Sequence, residues 1–319
     1  MRKIIGLVIG VSLLGMLFAG SFLGAFHQPE PHGVPVAVVA PAELVQRLQS
    51  GIDQRKEGAF SLGAYPSFDA ARAALLDREV DAVLVPGEDR LVVAGAGGRT
   101  AATVITAAFQ GAAQAQGRVL RVEDAVPLPP GDSGGISGMF YVLSLVLPGL
   151  ALALLLSRAA PGLGLAGRLG ALAAGALTAG TAVAWLADPV FGALPGRFGW
   201  LVLVSSGIVL TIGLVVSGLL KTVGMAGMGL AGLLFIPIGL PASGGPLGAR
   251  FIPEWYAAVG QFLPIGPAGQ AVQNTVFFDG AALGAPLGVL TGWALLGLVL
   301  LMLPGRRPAP APVPAPVAV

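Results

Sequence analysis

The sequence predicts an α-helical polytopic membrane protein of about six transmembrane helices, both termini cytoplasmic, with an α/β extracytoplasmic domain inserted between the first and second helices. Three observations predict it. Hydrophobic residues make up 55% of the 319 and charged residues only 11%, against roughly 25% charged in an ordinary soluble domain, so lipid must be the solvent for much of the surface. Several stretches run for about 20 residues without a charge, the length of helix that crosses a hydrocarbon core roughly 30 Å thick. Between the first two of these stretches the composition changes abruptly, and most of the acidic residues fall there.

The spans expected are Ile4–Phe26, Gly138–Leu156, Leu169–Ala187, Phe198–Leu220, Thr222–Leu240 and Pro286–Leu303. The first follows Arg2 and Lys3 and has small residues around Ala19 and Ser21, as a signal peptide would. Its apolar run is longer than the 7–15 residues or so of a signal h-region, so a retained anchor in residues 1–26 is the expectation. Short loops rich in Lys and Arg stay cytoplasmic. One alternating path puts Arg2, Lys3, Arg158, Arg168, Lys221, Arg306 and Arg307 inside and leaves Asp188, Arg197, Arg250, Glu254 and Asp279 outside. No Asp, Glu, Lys, Arg or His falls within an expected span. Because intramembrane charge marks ion and proton pathways, a proton- or sodium-coupled carrier is disfavoured.

Residues 27–136 are expected to form the extracytoplasmic α/β domain. Short β-branched runs alternate with amphipathic ones: Val34–Val39, Phe60–Tyr65 and Asp81–Val85 as strands, Ala42–Ile52 and Phe68–Arg78 as helices. A βαβαβ start implies an α/β unit. Pro86–Gly87 is a turn, Leu91–Ala94 and Val119–Val122 are further candidate strands, and Thr100–Gln116 is an Ala-rich helix. At this length the unit is expected to bury its own core.

Residues 137–303 then make a five-helix membrane domain, interrupted at about 241–285 by an outside segment broken by Pro241, Pro246, Pro253, Pro264 and Pro267. Its aromatic residues, including Phe251, Trp255 and Tyr256, favour short helices at the headgroup level or dipping into the membrane. The Pro/Ala-rich stretch 304–319 is expected to be a disordered cytoplasmic tail.

The motifs carry little chemistry. Gly131-Asp132-Ser133-Gly134-Gly135 matches the segment around a chymotrypsin-like protease nucleophile. A triad needs a base held by a buried acid, and the only histidines, His27 and His32, adjoin the first span. Gly131, Asp132, Gly134 and Gly135 are expected instead to be a hinge where the chain re-enters the membrane, and the two histidines to be solvated linker residues. Gly6-xxx-Gly10, Gly20-xxx-Gly24 and Gly288-xxx-Gly292 have the spacing of close helix packing. No P-loop is present, since Lys221-Thr222 follows Leu219-Leu220 at a span end rather than a glycine-rich loop. There is no cysteine, and a net charge of +2 leaves no nucleic-acid footprint. No catalytic residue, metal site or cofactor is expected.

Three stretches carry a resemblance. They are AARAALLDREVDAVLVP at Ala70–Pro86, VPLPPGDSGGISGMFY at Val126–Tyr141, and GLPASGGPLGARFIPEWYAAVGQFLPIGPAGQAVQNTVFF at Gly239–Phe278. With the order of parts, they resemble ABC-type exporter permeases of the type-2 branch, closest to the phage-infection-protein-like group. One departure is the lack of a basic residue near Gln273-Asn274. The resemblance implies a plasma-membrane permease subunit that pairs with a second permease, as homo- or heterodimer, and with cytoplasmic ATPase subunits. They would dock on the loop Ser157–Arg168, with Arg158 and Arg168 as coupling residues. The cargo implied is amphipathic or lipid-like. The alternative is a membrane-anchored receptor, adhesion or secretion-accessory protein whose outer domain binds a partner without transport.

Overall fold

A computed structural model describes Met1–Pro304; the remainder of the tail, with Arg306 and Arg307, lies outside the described residues. Among the described residues six helices are long and apolar enough to cross a membrane: Arg2–Phe26, Ser137–Ala159, Leu165–Val190, Phe198–Val223, Met225–Ala242 and Gly284–Met302. The chain is a multi-pass helical membrane protein. The second, third and fourth helices run up to a turn beyond the apolar cores read from the sequence, so Arg158, Arg168, Asp188 and Lys221 lie within their end turns, while the fifth starts three residues later than expected.

α1 (Arg2–Phe26) is almost wholly exposed, with only Ala25 buried. After it the chain builds a five-stranded sheet from β1 (Val34–Val39), β2 (Phe60–Tyr65), β3 (Ala82–Val85), β4 (Arg90–Val93) and β5 (Arg121–Asp124). The order is β2-β1-β3-β4-β5. All neighbours are parallel except β3 with β4. The helices are α2 (Ala42–Asp53), α3 (Phe68–Leu76) and α4 (Arg99–Gln114). α3 starts where the Ser67 hydroxyl accepts from the Ala70 N–H at 3.2 Å, an ordinary N-cap. It stops two residues short of the expected Arg78, which has a left-handed φ of 66°. β5 begins two residues later than expected and is exposed throughout.

Side chains alternate across the strands. Val34, Val36 and Val38 of β1 face one side with Val45 of α2 and Ile105 and Phe109 of α4, while Ala37 faces the other with Ala71, Ala74 and Leu75 of α3. Each side is completed from more than a hundred residues downstream in the chain. Phe251, 1% exposed, joins the first cluster and Phe278, 4% exposed, joins the second. The unit supplies most of both clusters itself, and one downstream aromatic completes each. Both faces of the sheet are closed by aromatics from the segment before the last helix.

In the bundle, α7 (Phe198–Val223) is the most buried span and packs against α5 (Ser137–Ala159), α6 (Leu165–Trp185, extended by a π-helical turn Leu186–Val190) and α12 (Gly284–Met302). Glycines make these approaches possible. A Cβ on Gly149 would stand 2.7 Å from Ile212 Cβ, and one on Gly297 would stand 2.5 Å from the Leu214 carbonyl carbon. The glycine pairs singled out by spacing are not these seams: at Gly6, Gly10, Gly20, Gly24, Gly288 and Gly292 a Cβ would meet nothing within 4 Å. Spacing identifies a smooth helix face, but the partner helix decides whether it is used.

α8 (Met225–Leu233) continues through a π turn containing Pro237 into α9 (Gly239–Ala242). The Pro237 carbonyl accepts from the Ser21 hydroxyl, which also bonds the Tyr256 hydroxyl, and this ties the end of α1 to the bundle. α10 (Glu254–Gly260) is followed by α11 (Ile265–Phe277). Trp255 and Phe262 are exposed, as residues at a membrane surface would be. α11 instead buries Ile265, Ala268, Ala271 and Val272 in the main apolar cluster of the bundle.

Candidate functional site

The sheet unit and the bundle meet around an open cleft of about 700 Å³. Its walls divide by element. The turn after α3, the Gly95–Arg99 segment and the loop before α10 bring Arg78, Asp81, Arg99, Arg250 and Glu254, whereas α5, α9 and α11 supply Met139, Val142, Leu240, Ile265 and Phe277. The result is a cleft with charged groups on one side and, on the other, apolar side chains interspersed with Gln270, Gln273 and Asn274 of α11.

The junction is held by specific contacts. Arg78, turned out of α3 by its left-handed backbone, donates from Nη2 to Gln273 Oε1 at 3.1 Å and lies 4.5 Å over the Phe278 ring. Gln273 Nε2 donates to the Ala96 carbonyl at 2.7 Å. The segment that lacks a basic residue of its own near Gln273-Asn274 thus receives one from a position 195 residues away. Arg250 pairs with Asp81 at 3.3 Å and donates to the Gly33 carbonyl at 3.1 Å. Burial holds the Asp81 carboxyl above the usual carboxylate range, opposed by the nearby Arg250 and Arg78 charges. Burial likewise lowers the Arg78 guanidinium, against the pull of Asp81 and with the repulsion of Arg250.

Two buried polar atoms lining the cleft, His32 Nδ1 and Asn274 Oδ1, have no hydrogen-bond partner among the described residues. Buried polar atoms are normally paired, so these two stand out as exceptions beside the cleft. His32, expected to be a solvated linker residue, is half-buried with its Nδ1 shielded from solvent. Its neighbour in the linker, His27, is exposed and bonds through Nδ1 to the Leu23 carbonyl at 2.7 Å.

Gly131, Asp132, Gly134 and Gly135 form a packed helix start rather than an open glycine run. The buried Asp132 carboxylate accepts from Ile136 N at 3.1 Å and from Ser137 N at 3.2 Å, placing negative charge at the start of α5, where the helix dipole favours it. A Cβ on Gly131 would come within 2.5 Å of the Phe191 and Gly192 carbonyl oxygens, and one on Gly135, at φ 69°, within 3.0 Å of Arg99 Cβ. Asp132 and Gly135 line the cleft.

Arg158 and Arg168 lie at the opposite end of the bundle. α5 runs to Ala159 and α6 starts at Leu165, so most of the expected loop is helical and the connection is a short turn. Arg158 is exposed and Arg168 half-buried. Neither forms an ion pair among the described residues. Among the described residues no group of three or more His, Cys, Asp or Glu is placed to hold a metal ion.

Arg78 and Asp81 on one side and Arg250 and Gln273 on the other went unrecognised in the sequence because the two stretches that carry them lie far apart in the chain. The one available signal was the missing basic residue beside Gln273. Comparison with protein-family models, curated proteins and solved structures finds no match for the chain.

Proposed function

We propose that this chain is the membrane-spanning permease subunit of an ATP-driven exporter of the plasma membrane, moving an amphipathic or lipid-like substrate outward. ATP is hydrolysed by separate cytoplasmic ATPase subunits, and a second permease completes the pathway. The sheet unit lies outside and both termini inside. The observation that carries this reading is the cleft: charged side chains on the walls from the sheet unit and the segment before α10, apolar side chains from α5, α9 and α11 opposite them, and a position where the outer unit meets the bundle. Such a surface matches a molecule with a polar head and an apolar body, because each part leaves water for a surface of its own kind.

Coupling runs from the short turn between α5 and α6, flanked by Arg158 and Arg168, through α5 to the cleft. α5 carries Met139 and Val142 at its other end, so a displacement of the turn reaches the cleft through one continuous helix. The test is affinity purification of the tagged chain from its native membrane in mild detergent. A P-loop ATPase in stoichiometric amount is expected, and replacing Arg158 and Arg168 with Glu is expected to abolish its stimulation while leaving membrane insertion intact. Repeated preparations that retain an envelope protein and no ATPase would overturn transport in favour of the receptor or adhesion reading.

A further inference from the structure

A second hollow, of about 690 Å³, lies on the membrane-facing side of the bundle between α7 and α12. The two helices run parallel and close on one another at one end, where Gly218 meets Leu300 and Gly297 meets Leu214 and Val215. Toward the end nearer the sheet they part, and the groove opens between Leu203, Gly207 and Leu210 on one wall and Leu287, Thr291 and Leu295 on the other. Gly207 leaves the groove deep, since a Cβ there would meet nothing within 4 Å.

The hollow lies within the depth of two spans, so its surroundings are hydrocarbon. Along α12 its lining reaches from Leu287 to Leu298, about 17 Å at the helical rise, close to the roughly 15 Å of hydrocarbon in one leaflet. The sheet-side end of the groove is polar. Arg197 and Asp279 line it there and bond to each other, and Asp279 remains 86% exposed. That one contact leaves most of the five guanidinium donors and several carboxylate lone pairs free.

We propose that this groove is a binding site for a single phospholipid with a primary-ammonium headgroup, of the phosphatidylethanolamine class. One acyl chain lies between α7 and α12, the phosphate takes donors from Arg197, and the ammonium donates to Asp279. A choline headgroup, with no N–H, makes only the first of these two polar contacts, and a glycerol headgroup offers no positive charge to Asp279. The site is separate from the cleft and stands whether or not the chain exports anything.

The test uses the full chain in nanodiscs of equal parts phosphatidylethanolamine, phosphatidylcholine and phosphatidylglycerol, extracted into mild detergent and examined by native mass spectrometry. The expected result is one retained phosphatidylethanolamine per chain. Gly207→Trp, which fills the groove, should lose it. Asp279→Asn, at an exposed position that leaves the fold unchanged, should keep a lipid but lose the preference over phosphatidylcholine. Retention of all three lipids in nanodisc proportion by the wild type would overturn the proposal, showing annular lipid only. A lipid-free dimer that Gly207→Trp dissociates would also overturn it, assigning the groove to a second copy of the chain. ATPase co-purification is unaffected by either failure, so the export reading is judged separately.

Discussion

Phe251 and Phe278 close the sheet from opposite faces, so their truncation tests whether the outer unit depends on the membrane domain for its core. Both side chains are almost fully buried, at 1% and 4% exposed, and deleting a buried Phe side chain costs about 3–5 kcal/mol. The two lie in separate apolar clusters divided by the sheet, and sites without shared partners add. The double variant Phe251→Ala/Phe278→Ala should therefore lose about 6–10 kcal/mol, comparable to the 5–15 kcal/mol that holds a typical domain folded. Hydrogen exchange on the detergent-solubilised full chain is the assay. In the double variant, amides of β1 and β3 should lose most of their protection while those of α7 keep theirs. An isolated fragment of residues 33–124, lacking both aromatics, should show the same loss. Native-like protection of β1 and β3 in either case would refute the reasoning, because the unit would then hold its core without the clamp.

Three other outcomes are expected. Arg78→Ala removes the donor to Gln273 Oε1 and the contact over Phe278, at a cost of about 1–3 kcal/mol, seen as a lower melting temperature. Lys at 78 should not restore it, because it lacks the planar fork. The Asp81 carboxyl is held high by burial, so above about pH 3.9 the folded chain keeps a proton that the unfolded chain releases. Its contribution to stability is thus greatest below that pH and is lost as pH rises through the folded value; Asp81→Asn should flatten this part of the melting-temperature profile. Gly297→Leu, forced against the α7 backbone, should destabilise the bundle by about 1–3 kcal/mol in thermal unfolding. Gly288→Leu, with open space around its Cβ, should change stability by no more than about 0.5 kcal/mol.

What the sequence made legible follows the range of each interaction. The six apolar spans were readable because lipid imposes its requirement residue by residue, and the β1 and β2 ranges because short β-branched or aromatic runs bounded by turn formers are local signals. The helix seams were not readable in the same way. Gly149, Gly218 and Gly297 carry the close approaches, and nothing near them in the chain distinguishes them from Gly6 or Gly292. The site was the least legible part. Arg78 finds Gln273, and Asp81 finds Arg250, only after the segment before the last helix has folded back onto the sheet. The glycine-rich stretch at 131–135 has the composition of a hinge, yet Asp132 makes it a capped and packed helix start.

The clamp also fixes an order of events during biogenesis. Chains fold from the N-terminal end as they are made, so β1 to β5 leave the ribosome well before Phe251 and Phe278 exist. Until α11 has been synthesised, α2, α3 and α4 cover the sheet but each face lacks its downstream aromatic, on an architecture whose exposed edge β5 invites pairing with other strands. Completion of the outer unit is in effect a report that the fifth span has been inserted and the chain has returned to the sheet. A chain stalled or clipped before residue 251 is left with a sheet unit that lacks one buried aromatic on each face. Assembly of the membrane part and survival of the outer part are thereby linked through two side chains.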